Sequence, residues 1–141
     1  MTDNTIQFDV RYPDPEGFDG CPSVTDYPEF TRGGISLVGP DRQITPLEDI
    51  QIKFSYPLSN DAILSFHRAG GFTLSAFWGA VYEGYARIYQ DDGDPVAARS
   101  ADHTRLPTFG KYGIWGHSVE DLFLEGFEEV EPGIFNLSIG S

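Results

Sequence analysis

Cysteine is almost missing from this chain, and its scarcity excludes several chemistries at once. Cys21 is the only one, so no internal disulfide can form. Neither a Cys-x-x-Cys redox pair nor a thiolate zinc centre can be built, and a reducing compartment, the cytoplasm, is the expected location. Basic residues are also scarce: 9 Lys and Arg stand against 22 Asp and Glu, for a formal net charge of −13. Nucleic-acid binding replaces condensed counterions with protein cations, so direct contact with DNA or RNA is not expected. An anionic membrane surface would repel the chain as well. No run of about 18 apolar residues occurs, so no membrane-spanning helix is expected. Residues 1–9 do not lead from a basic stretch into an apolar one, so no secretory leader is expected either.

What is present is apolar bulk and acid. Hydrophobic residues make up 40% of the 141 positions and aromatics 14%, enough to build a core without metal or disulfide support. No repeat or low-complexity tract divides the chain, so residues 1–141 are expected to form a single domain. The acid excess would steer a basic protein surface toward this one. It would equally serve solubility alone.

Hydropathy alternates over residues 5–11, with Ile6, Phe8 and Val10 on one side, which predicts a half-buried strand. Residues 12–32 are rich in Pro and Gly and predict a long loop pinned by Tyr12, Phe18, Tyr27 and Phe30, of a length that suggests either function or a missed short element. Further strands are expected at 34–38, 50–56 and 62–68. Pro57 ends the second of these because it lacks a ladder donor. A long amphipathic helix is expected over 73–90, with Thr73 as N-cap and Leu74, Phe77, Val81, Tyr85 and Ile88 as its buried stripe. Gly79 and Gly84 fall on the other side, where each costs on the order of 1 kcal/mol relative to Ala. That cost implies close approach by the chain's own loop or by a partner. Residues 121–130 and 134–140 flank Glu131, Pro132 and Gly133 and predict a C-terminal β-hairpin. The expected fold class is α+β: a mostly antiparallel sheet of five to six strands, the helix packed on one face, and the hairpin.

The densest group of unusual residues is the stretch from Lys111 to Asp121. Gly113 and Gly116 allow special backbone shapes, Tyr112 and Trp115 offer flat recognition surfaces, and His117 titrates near physiological pH. Asp121 lies four residues beyond His117 and could orient its imidazole in a hydrolase-type site, although a packed corner explains the same residues. No metal is expected: grouping His117 with His103, Asp102 or His67 has no diagnostic spacing, and Asp91, Asp92 and Asp94 lack the EF-hand pattern. Cys21 precedes a proline with no His nearby in sequence, and no GxSxG, SxxK, GxGxxG or Walker motif occurs, so neither a catalytic nucleophile nor a cofactor is expected. Six carboxylates, Glu120, Asp121, Glu125, Glu128, Glu129 and Glu131, crowd into the hairpin region. They predict either an electrostatic contact surface or protection of a sheet edge.

The leading expectation is a small acidic cytoplasmic protein that inhibits or regulates a protein partner with a basic surface, in the manner of an immunity protein or a phage-encoded inhibitor. Its binding residues would be Tyr112, Trp115, His117, Glu120, Asp121, Glu125, Glu128 and Glu129. Two alternatives remain open: a small hydrolase using His117 with a nearby carboxylate, and a homo-oligomeric subunit joined through exposed aromatics and the small-residue side of the helix.

Overall fold

The structure, a computed structural model, describes residues 5–11, 20–92, 112–114 and 119–140. Tyr12, Phe18, Gly93, Asp94, Asp102, His103, Lys111, Trp115, Gly116 and His117 lie outside the described residues.

The expected hairpin forms β8 (Phe123–Glu131) and β9 (Ile134–Gly140), turning at Pro132 and Gly133. It occupies the middle of a five-stranded sheet with β1 (Thr5–Gln7), β5 (Asp49–Phe54) and β6 (Ala62–His67), in the order β1-β8-β9-β5-β6. Every pairing is antiparallel except that of β5 with β9. The parallel pairing is possible because a long connection through α2 (Leu74–Asp92) separates the two strands in sequence. The molecule is thus a single α+β domain with a mixed sheet.

The helix begins where its cap predicts, because the Thr73 hydroxyl accepts a hydrogen bond from the Ala76 amide at 3.2 Å. Leu74, Phe77, Val81, Tyr85 and Ile88 are all buried, and Phe77 stacks on Phe127 of β8 with ring centroids 4.1 Å apart. No described helix is long and apolar enough to cross a membrane. The two helix glycines have separate causes. A Cβ on Gly79 would lie 2.7 Å from the Tyr27 hydroxyl, and one on Gly84 would lie 2.2 Å from the Phe54 ring. Gly79 therefore admits the segment expected to be loop, whereas Gly84 faces the sheet, contrary to its expected placement on the far side. Own-chain atoms fill both gaps.

One expectation needs correction in detail, and one of the open alternatives is settled. Residues 5–11 do not form one strand: β1 pairs with β8, while β2 (Val10–Arg11) pairs with β3 (Ser36–Leu37). The alternation is real, since Phe8 and Val10 are both buried, but the hydrogen-bond partner changes where Phe8 donates to the Glu125 carbonyl beside an irregularity in β8. The 12–32 segment holds α1 (Tyr27–Thr31), preceded by a short 3-10 turn whose cap is Ser23. Tyr27 and Phe30 meet Trp78 at 5.6 and 5.3 Å between ring centroids, as the anchoring role predicts. A further small sheet, β4 (Gln43–Thr45) with β7 (Phe72–Thr73), escapes the hydropathy pattern because such short strands carry no measurable period.

Candidate functional site

The six hairpin-region acids do not share one surface. Strand β8 is interior to the sheet, paired with β1 on one side and β9 on the other, so its carboxylates do not guard an edge. Glu120 and Asp121 are exposed on a 3-10 turn whose Glu120 carbonyl accepts from the Ser23 hydroxyl at 3.2 Å. Glu125 is exposed at the irregularity in β8. Glu128 pairs with Thr5 and Asn136 on the sheet face turned away from α2. Glu129 pairs with the buried Phe135 on the opposite face. Tyr112 is buried, and its carbonyl accepts from the Ser59 and Asn60 amides at 3.0 and 3.1 Å. Together with the bridge between Leu58 and Ile114, this makes residues 112–114 a clasp on the β5–β6 connection.

The arrangement with chemical potential lies at the hairpin tip. Glu129 accepts the Gly133 amide at 2.8 Å, and the Gly133 carbonyl accepts from Gln51 at 2.8 Å, so the turn is fixed from both ends. A register shift between Glu129 and Glu131 turns Val130 outward, where it is 45% exposed. Leu47, 41% exposed, packs beside the turn, held by a hydrogen bond from its amide to the Thr45 hydroxyl at 3.2 Å. Leu47 and Val130, with Pro46 and Pro132, line an open cleft of about 410 Å³ that also takes in Glu129 and Glu131. Glu48 stands next in the chain, its carboxylate accepting the Gly70 amide at 2.6 Å. An exposed apolar centre with a polar rim is a common make-up of a contact surface. Leu47 and Val130 were not singled out in the sequence. The one available signal was an apolar residue inside an acid run, Glu128-Glu-Val-Glu131.

A second cleft, of about 470 Å³, brings Arg42 to the other side of Glu129 above Phe127 and Phe135. His67 pairs with Asp49 at 2.8 Å, both well exposed. Among the described residues, no three His, Cys, Asp or Glu side chains are grouped to hold a metal ion.

The one strongly perturbed ionisable group described is structural. Burial, aided by the neighbouring Tyr89 and Tyr56, pushes the Tyr85 phenol well above its ordinary value, and its hydroxyl donates to the Tyr56 carbonyl at 2.6 Å. The folded state holds this proton more tightly than the unfolded chain does. Its stabilising effect is therefore full below the ordinary phenol value of about 10 and declines as pH rises beyond it. Tyr85→Phe should lower the urea midpoint at pH 7 by an amount equivalent to about 1 kcal/mol and should flatten the alkaline loss of stability. An unchanged alkaline profile in the variant would assign that loss to other groups.

No protein-family model matches the chain, and no curated protein and no solved structure matches it either.

Proposed function

We propose that this chain is a small acidic cytoplasmic binding protein that inhibits or regulates a protein partner through its hairpin tip. The partner surface would present an apolar side chain flanked by Lys or Arg. The observation that carries this reading is the pairing of exposed Leu47 and Val130 with Glu129 and Glu131 around one cleft. Scattered carboxylates would serve solubility; carboxylates arranged around exposed apolar side chains also favour association, because burial of the centre supplies affinity while the charged rim steers encounter. Roles such as immunity protein or phage-encoded inhibitor fit a compact chain with a net charge of −13. The hydrolase alternative has no described geometry behind it, since Asp121 is exposed on its turn and His117 lies outside the described residues.

The test is affinity capture from lysate with the wild-type chain, followed by mass spectrometry and titration of the captured partner. Glu131→Lys should weaken binding of that partner about tenfold, or about 1.4 kcal/mol, with the deficit shrinking at high salt. Leu47→Ser should weaken it comparably at every salt concentration, because burial is not screened. If both variants bind like wild type, the tip is not the contact surface.

A further inference from the structure

The sheet face turned away from α2 differs from the rest of this acidic molecule. Gln7, Gln51, Ser65 and Ser138 are exposed there without charge, and Ile63 is 61% exposed among them. The strand register places Asp49, Glu128 and Glu131 on this face with Lys53, and two of the four charges are already paired. Asp49 pairs with His67, and Lys53 lies 3.3 Å from Asp61. Two copies of a chain with a net charge of −13 repel each other over most of their surfaces, so a self-contact needs opposite charges placed to meet.

The charges on this face are also placed for self-recognition. Thr5, Glu128, Asn136, Lys53 and Ile63 form one straight cross-strand row, each the register partner of the next. Strand spacing puts Glu128 and Lys53 about 5 Å to either side of Asn136. We propose that this face seats a second copy of the same chain, forming a two-fold dimer of sheet on sheet. With the axis running along β9 between the two sheets, each Lys53 lies over the partner copy's Glu128, Ile63 over Thr5, and the two Asn136 amides meet at the centre. A two-fold interface requires that if one residue meets another, the second also meets the first, and this row satisfies that condition for both signs of charge. Facing sheets stand about 10 Å apart, a gap that Lys and Glu side chains can close from opposite sides. This surface is separate from the hairpin tip, so either can fail without the other.

Sedimentation of the full chain from micromolar to near-millimolar concentration should show a reversible monomer–dimer equilibrium. K53E alone and E128K alone should each raise the dimer Kd about tenfold or more, because like charges then meet twice per dimer. The double variant K53E/E128K should return toward wild type, since opposite charges face each other again. An equimolar mixture of the two single variants should form heterodimers that neither forms alone, although both remain net negative. A chain that stays monomeric throughout overturns the proposal. So does a dimer indifferent to the single substitutions, or a double variant no better than either single one. Circular dichroism should show every variant folded, since both side chains sit on an open face.

Discussion

Replacing Trp78 with alanine should cost about 3–5 kcal/mol of stability, an unfolding-midpoint shift visible by far-ultraviolet circular dichroism. The indole is fully buried, and its N–H donates to the Val24 carbonyl at 3.3 Å. Its rings meet Phe8 at 6.3 Å, Tyr27 at 5.6 Å and Phe30 at 5.3 Å. One side chain therefore ties α2 to β1's continuation, to the 3-10 turn and to α1. Removing it leaves a cavity that three aromatic neighbours cannot fill without losing their own contacts. Typical domains are stable by about 5–15 kcal/mol, so the variant should sit near the margin of folding. Trp78→Phe should cost less, about 1–2 kcal/mol, reflecting the lost hydrogen bond and a smaller void. A loss under about 1 kcal/mol for alanine would mean that residues 20–31 are held elsewhere.

Gly71→Ala should be nearly as damaging, and Gly70→Ala should not. Both residues have positive φ, +85° and +95° in chain order, where a Cβ costs roughly 1–2 kcal/mol. Around Gly70 nothing lies within 4 Å of an added Cβ, so that backbone term stands alone. At Gly71 the added Cβ would lie 2.4 Å from the Thr45 carbonyl oxygen and 2.9 Å from two Pro46 backbone atoms. Those atoms belong to main chain leading into Leu47, and they cannot rotate aside. Overpacking adds about 1–3 kcal/mol, for a total near 3 kcal/mol against about 1–2 for its neighbour. Equal urea midpoints for the two variants would show that the contact with Thr45 relaxes freely.

Long, strongly periodic elements were legible in the sequence, and elements set by distant contacts were not. The 73–90 pattern locates α2 and its cap, because a stripe at three- and four-residue spacing has few alternatives over that length. The hairpin is equally legible from Pro132 and Gly133 between two apolar runs. Alternation over residues 5–11 gives burial correctly but says nothing about hydrogen-bond partners, which is why β1 and β2 read as one strand. The parallel union of β5 with β9 and the tiny β4–β7 pair are tertiary outcomes with no local signature. At the tip, the acids can be read from composition. The exposure of Val130 depends on a register shift, and the nearness of Leu47 depends on a chain segment more than eighty residues earlier.

The strand order also bears on synthesis at the ribosome. The two described strands that emerge last, β8 and β9, fill the middle of the sheet, while β1, made more than a hundred residues before β8, must wait for it. Until then β5 lacks its β9 partner, and the aromatic stripe of residues 74–92 lacks Phe127 and Phe135 to pack on. Such an intermediate is prone to aggregate. The polypeptide therefore commits to its native state only once β8 and β9 have been made, so a stop codon or stall before β8 should yield insoluble product in place of a smaller folded fragment.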